Sequence, residues 1–291
     1  AMGGGTYVQR PGAIAGLVPL GAFMSFFAWV KSGTFDPVLP SGVIIIVGAL
    51  ITTILFKRGF CGWICPVGTL GAAAEWAGAR LLGRTRRAPH KVDVGLRAPK
   101  TIVGWGIAAQ LAIMPVAGAL QFQTLPYYAV SDIKILSLMI RPEPVYIIIA
   151  SVVALLSLVF GNVWCRYLCP LGAVYAPVGA ASLCAVRRDE EKCISCSKCT
   201  RACHAAIPVE EKRTVRSPEC DGCMDCVYVC PVEGCLEARV AGLVRIPWWA
   251  WPALVIGIWM IVWLVAVVTK NWYGTLPPEA YQQFVPMVIG P

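Results

Sequence analysis

Cys193-Ile-Ser-Cys196-Ser-Lys-Cys199-Thr-Arg-Ala-Cys203 and, after a spacer, Cys220-Asp-Gly-Cys223-Met-Asp-Cys226-Val-Tyr-Val-Cys230-Pro231 are two runs of thiols with one spacing. A single loop with this spacing wraps three thiolates round one [4Fe-4S] cube, and the fourth cysteine of each run reaches the other cube. The expected ligand sets are Cys193, Cys196 and Cys199 with Cys230, and Cys220, Cys223 and Cys226 with Cys203. A zinc ribbon uses two Cys-x-x-Cys pairs and would leave four of these thiols idle. Disulfides require an oxidising compartment, which the charge pattern described below excludes.

The chain around this stretch is very apolar. Of 291 residues 57% are hydrophobic and 14% charged, against about 25% charged in an ordinary soluble domain. Five windows carry no charge at all: residues 11–30, 37–56, 101–131, 144–164 and 246–269. Each reaches the roughly 20 residues that a membrane span requires, so about five transmembrane helices are expected. The net charge of +9 would suit nucleic acid, but its placement points elsewhere. Lys57, Arg58, Arg80, Arg84, Arg86, Arg87, Lys91, Arg97 and Lys100 face only Glu75 and Asp93 in one short inter-span segment. That asymmetry marks the cytoplasmic side. Threading from it puts the N-terminus and the cysteine-rich segment inside and the C-terminus outside. Residues 1–10 show no cleavable signal peptide, so the first span is expected to stay in place as an anchor.

One unit occurs twice. Arg58-Gly-Phe-Cys61-Gly-Trp-Ile-Cys65-Pro66 closes the second window, and Gly161-Asn-Val-Trp-Cys165-Arg-Tyr-Leu-Cys169-Pro170 closes the fourth. Each follows two apolar windows and precedes a stretch rich in small residues, as in a duplicated hairpin with a pseudo-twofold axis along the membrane normal. Cysteines four apart share one face of a helix, and the proline after the second one starts a new segment. The stretches 67–82 and 171–183 are too short for spans and read as helices at the cytoplasmic interface. The organisation expected is a duplicated four-helix transmembrane region at 1–183, a two-cluster ferredoxin domain at 184–245, and a C-terminal helix with a short outer tail at 246–291. The fold class is membrane all-α with a small α+β domain of the bacterial two-cluster ferredoxin type.

A hairpin repeat carrying two Cys-x3-Cys-Pro motifs, followed by the eight-cysteine segment, resembles the NapH/MauN-type polyferredoxins. These are quinol dehydrogenase components associated with periplasmic nitrate reductase, and the membrane-bound C-terminal part of the regulator NosR is similar. The resemblance covers roughly residues 10–240. It implies a multi-pass subunit of the bacterial inner membrane that trades electrons with the quinone pool as part of a respiratory complex. Two features depart from the pattern: His204 stands where a proline usually follows the fourth cysteine, and the fifth span is additional.

Cys61, Cys65, Cys165 and Cys169 admit three readings: inert buried thiols, two redox-active dithiols, or one further [4Fe-4S] centre shared by the two repeats. The duplicated spacing favours the third. Cys184 and Cys235 belong to no pattern and read as packing residues. The only histidines are His90 and His204, so no bis-histidine haem is expected. The cofactors expected are two [4Fe-4S] clusters, a third if the repeated motif holds one, and quinone or quinol as substrate. A quinol site needs an apolar slot with polar groups and a proton acceptor, and the candidates are Arg58, Trp63, Glu75, Trp164, Arg166 and Tyr167. The function expected is quinol-linked electron transfer with other subunits of a membrane redox complex. The alternatives are a maturation factor that reduces a metal centre elsewhere, and a quinone-free wire between a ferredoxin-like donor and a membrane partner.

Overall fold

The computed structural model describes residues 12–83 and 90–274, with isolated positions 277, 279, 283 and 284. The expectations that concern residues 1–10, Arg84, Arg86, Arg87 and the end of the tail lie outside these residues. The chain divides into two compact units, one built from Ala1–Gly48, Ala109–Ile147 and Met260–Pro291, the other from Ala49–Ala108 and Ile148–Trp259.

In the first unit α1 (Pro19–Ser32) is preceded by a 3-10 turn at Gly12–Leu17. It ends at Gly33, where φ of +71° turns the chain, a conformation that glycine adopts without Cβ strain. Asp36 then accepts the backbone N–H groups of Val38 and Leu39 at 2.8 and 3.3 Å, and the hydroxyls of Ser25 and Tyr128 also bond to it. All three side chains are buried, so this cluster satisfies a carboxylate that would otherwise be costly to bury. Here α2 (Pro40–Phe56) begins, and α6 (Val116–Gln123), α7 (Pro126–Ala129) and α8 (Ser131–Ile140) complete the unit.

The second unit holds the cysteines. It contains α3 (Gly59–Trp63), α4 (Pro66–Leu82), the first part of α5 (His90–Ile113), most of α9 (Pro144–Phe160) and α10 (Pro170–Ala180). The eight-cysteine segment lies between β1 (Cys184–Arg188) and β2 (Leu236–Val240), which pair antiparallel with Val186 opposite Ala238; β3 (Val244–Ile246) adds to the β2 edge. Short helices α11 (Lys198–Ala202) and α12 (Asp225–Tyr228) carry the third thiols, Cys199 and Cys226. Val186, Val209, Val215, Met224, Leu236 and Ala238 form the core of this lobe. The start of α13 (Ala250–Val268) closes it with Trp251, fully buried and edge-on to Phe56 at 5.1 Å.

Helix lengths differ from the charge-free windows. Among the described residues α13, at 19 residues, is the helix long and apolar enough by itself to cross a membrane. α2 and α9 are apolar but 17 residues long, and α5 with α6 qualifies only as a pair bent by 107°. The third window contains Pro115 and Pro126, and a proline removes a helix donor and clashes with the preceding turn, so helix restarts at α6 and α7. α9 leaves Ile148, Ile149, Val152 and Leu155 exposed, an apolar surface that suits hydrocarbon rather than water.

Candidate metal centres in the cysteine motifs

The two ferredoxin runs share one loop geometry. Ser195 and Gly222, each just before the second thiol, have φ of +52° and +74°; Ser197 and Met224, each just after it, have φ of +58° and +67°. Left-handed residues on either side of the second thiol reverse the chain twice and wrap three thiols round one point. Cys193, Cys196, Cys199 and Cys230 accordingly line one cavity, with Arg188, Ile194, Glu210, Cys235 and Leu236 on the same wall. The N–H of Ser195 and the Arg188 side chain both bond Cys193 and hold its thiol below the usual cysteine value.

Cys203, Cys220, Cys223 and Cys226 gather at the other pole. Cys226 feels Cys220, Cys203 and Cys199, and burial pushes its thiol up. Burial, helped by Asp221, pushes Cys220 up to about 11. Thiols held neutral by burial become thiolates when a cation is placed among them. Soft sulfur donors in sets of four suit iron–sulfur clusters, and all the cysteines are free thiols. The residues present therefore fit the group.

The Cys-x3-Cys-Pro loops repeat their geometry too. Cys65 N–H bonds the Phe60 carbonyl at 2.9 Å and Cys169 N–H the Trp164 carbonyl at 2.8 Å, five residues back in each case. The turn is thus a widened π turn, not the α-helical face expected from the spacing. Cys65 and Cys169 are extended, with ψ of 120° and 109°, and Pro66 and Pro170 open α4 and α10. Cys61 feels the charges of Cys169, Cys65 and Cys165, so the four thiols lie near one another; burial raises Cys61 strongly and Cys165 to about 12. Residues of one repeat close on the other. Arg58 donates to the Gly172 carbonyl at 3.0 Å, and a Cβ on Gly71 would overlap Asn162.

The second ferredoxin run docks on these loops. Trp63 Nε1–H donates to the Gly222 carbonyl at 3.0 Å, and a Cβ on Gly62 would come within 3.1 Å of the Asp221 carbonyl oxygen. Glu219 receives Lys100 at 2.8 Å, Arg58 at 3.5 Å and Arg97 at 3.9 Å. Burial works to raise the Glu219 carboxyl, but Arg58 and Lys100 outweigh it and hold the group below the usual carboxylate range. Asp93 takes Arg166 and the Tyr167 hydroxyl, each at 2.6 Å, and also Arg97. His204 pairs with Asp221 at 2.8 Å, and that carboxylate pushes it up to about 9. The loop cations thus close onto carboxylates of the ferredoxin segment and of α5.

Of the six quinol-site candidates, Arg58 and Trp63 bond the Cys220 loop, and Arg166 and Tyr167 bond Asp93 of α5. Trp164 is 38% exposed, and Glu75 packs against Gly161 on the α4 side. Reading the sequence missed Glu219, Asp93 and Arg188 as site residues. It also treated Cys235 as packing, and this thiol is on the wall of the first cavity; Cys184 is buried in β1. The i,i+4 pair Asp93 and Arg97 was visible as a helix pairing signal, but nothing local marked Glu219.

A family profile described as a 4Fe-4S binding domain matches residues 38–85 and again 143–187, one match for each copy of the repeat. A profile described as a 4Fe-4S dicluster domain matches residues 186–238. YccM of Escherichia coli, whose name assigns it to electron transport, is 33% identical over 97% of this chain and 80% of its own length. The ferredoxin-type methylamine utilization protein MauN of Methylorubrum extorquens is 33% identical over 57% of this chain and 55% of its own. The ferredoxin-type protein NapH of Haemophilus influenzae is 29% identical over 66% and 67%. No solved structure matches the chain significantly.

Proposed function

The chain belongs to the NapH/MauN-type polyferredoxins, iron–sulfur electron-transfer proteins, and from that premise we propose that it is an integral membrane subunit exchanging electrons between the quinol pool and a partner redox enzyme. The observation that supports this reading is the docking of the Cys220 loop on the first Cys-x3-Cys-Pro loop, where Trp63 donates to Gly222 and Arg58 to Glu219. It joins the thiols of the ferredoxin segment to those at the ends of the apolar helices.

In this reading the five charge-free windows cross the inner membrane, with α9 and α13 presenting apolar side chains to lipid, and the basic segment from Lys57 to Lys100 marks the cytoplasmic face. Cys193, Cys196, Cys199 and Cys230 hold one cluster; Cys220, Cys223, Cys226 and Cys203 hold the second. Cys61, Cys65, Cys165 and Cys169 hold a third at the membrane boundary. Clusters of this kind exchange single electrons, at potentials set by net charge, hydrogen bonds to sulfur and exposure. The chain's own residues keep these thiols in place. Arg58, Trp63, Arg166 and Tyr167 fix the loops, and this reading puts Trp164 of the candidate set, 38% exposed, at the quinol head group together with Glu75. Quinol oxidation releases protons as well as electrons, and Glu75 is the carboxylate of that set.

The test is anaerobic addition of quinol to the purified protein. Bleaching of its iron–sulfur absorbance is the expected result. Clusters that dithionite reduces but quinol leaves unchanged would refute the quinol link.

A further inference from the structure

The apolar window that is additional to the family pattern, carried by α13, also closes on the second cysteine run. Trp251, Val255 and Trp259 are four residues apart along α13 and share one face. Trp251 is fully buried and stands edge-on to Phe56, at 84° with ring centroids 5.1 Å apart. A Cβ on Gly59 would come within 3.2 Å of Val255, and the Trp259 ring lies 5.1 Å from that of Phe60, the residue before Cys61. The edge of the Trp251 indole faces Gly222, which stands between Cys220 and Cys223. Its Nε1 and Cζ2 are each 3.1 Å from where a Cβ would sit on that glycine. Trp251 belongs to the same buried cluster as Cys203, and Cys220 and Cys226 pack against that cluster. An indole N–H can only donate, yet Trp251 Nε1 has no acceptor among the described residues, and burying a donor unpaired is costly. Among the described residues no tryptophan lines the cavity of Cys193, Cys196, Cys199 and Cys230.

Hydrogen bonds to the sulfurs are one of the factors that set the potential of an iron–sulfur centre, because a donor stabilises the negative charge that an added electron brings. Resting on the cluster reading above, we propose that Trp251 donates its indole N–H to sulfur of the centre held by Cys203, Cys220, Cys223 and Cys226, and so raises the reduction potential of that centre alone. The rival acceptor, the face of the Phe56 ring, would give only a weak bond. The last apolar helix is then part of the electron path. Its first turn tunes the set that meets the first Cys-x3-Cys-Pro loop, and its next two turns brace that loop through Gly59 and Phe60.

The experiment is a dithionite titration followed by EPR on the full-length protein purified anaerobically, with iron and sulfide counted first. Wild-type material without iron overturns the cluster reading itself and is recognised before any titration. Trp251→Phe keeps an aromatic ring in the pocket and removes the donor. It should lower the reduced-to-oxidised ratio of one ferredoxin couple by about fivefold at fixed potential, the factor an ordinary hydrogen bond supplies. At 59 mV per decade for one electron that is about 41 mV. The other ferredoxin couple should stay in place. Trp259→Phe removes an indole N–H from the same face of α13, away from Gly222, and should leave the shifted couple where it is in wild type. A second measurement needs no change at position 251. In Trp63→Phe protein with 15N in its indole rings, the other indole at Gly222 is gone, and one indole nitrogen should still couple to the spin of a reduced ferredoxin centre. If Trp251→Phe does not retain its iron, this nitrogen signal decides alone. The proposal is overturned if no such coupling is seen, if iron-loaded Trp251→Phe leaves both couples unmoved or moves them equally, or if Trp259→Phe moves the same couple as far.

Discussion

Replacing Glu219 by alanine removes the one carboxylate that three cations share. Lys100, with a side chain 1% exposed, loses its 2.8 Å partner, and Arg58, 7% exposed, loses its contact at 3.5 Å. Burial already holds the Lys100 ammonium below the ordinary lysine value, and Glu219 is the group that opposes that shift. Breaking a buried pair by deleting one partner costs about 3–5 kcal/mol, because the other charge stays buried and uncompensated. Arg97, at 3.9 Å and more exposed, adds little. The loss falls on the contact between the Cys220 loop and the Cys-x3-Cys-Pro loops. Glu219→Ala should therefore lower the temperature at which the detergent-solubilised protein loses its iron–sulfur absorbance and make that segment easier to cleave by protease. The double variant Glu219→Leu with Lys100→Met removes both charges and should recover a large part of the loss, since an apolar pair in place of a buried ion pair is close to neutral. A single variant within about 0.5 kcal/mol of wild type, the range of an ordinary surface change, would refute the network as a structural clasp.

Four further outcomes are expected. Cys61→Ser and Cys169→Ser should each lower iron by about four atoms per chain if the repeated motif holds a cubane; unchanged iron would rule that cluster out and leave the dithiol and inert-thiol readings. Gly78→Ala should destabilise by about 1–3 kcal/mol, because the new Cβ would lie 1.8 Å from the Leu158 carbonyl oxygen. Gly106→Ala, with nothing within 4 Å of the new atom, should be neutral or slightly stabilising, and comparing the two melting temperatures checks both. Stripping iron with a chelator should loosen the segment between β1 and β2 more than the rest, because metal binding and folding are coupled; limited proteolysis with fragment sequencing reads this, and uniform cleavage would contradict it. In right-side-out vesicles protease should spare the eight-cysteine segment and in inverted vesicles cut it; the opposite pattern would reverse the assigned topology.

Local spacing carried most of what the sequence could tell. The Cys-x2-Cys-x2-Cys-x3-Cys runs specify loops because ligands to one cluster must lie within a few residues, and the structure adds the paired left-handed residues that bend them. The repeat was legible for the same reason: each Cys-x3-Cys-Pro motif ends its own apolar window. Long-range ionic pairing was not legible. Glu219 and Lys100 are 119 residues apart, and no local pattern distinguishes such a carboxylate from a solvated one. The windows misjudged helix length where they ignored their own prolines. Residues 11–30 contain Pro19, which starts α1 after a 3-10 turn, and residues 101–131 contain Pro115, at the 107° bend. The π turn between the paired cysteines was hidden as well, since a thiol spacing of four fits an α-helix equally well.

The charge on the repeated motif bears on what it holds. Four thiols brought together cost little while they stay neutral, and burial raises the thiols of Cys61 and Cys165, disfavouring the thiolate. Ionising all four needs positive charge among them, and Arg58, the cation that acts most strongly on Cys61, is already engaged with Gly172 and Glu219. An iron–sulfur core brings that charge with it and releases the thiol protons as it binds. A dithiol would need only the two cysteines of one loop. The two loops are instead cross-braced: Arg58 of the first repeat holds Gly172 of the second, and Asn162 of the second fills the space left by Gly71 of the first. Bracing of this kind holds both loops in one place, as a centre shared by their thiols would need. The first of these loops also meets Asp221 and Gly222 of the ferredoxin segment at contact distance, so a centre held there would lie beside the Cys220 set.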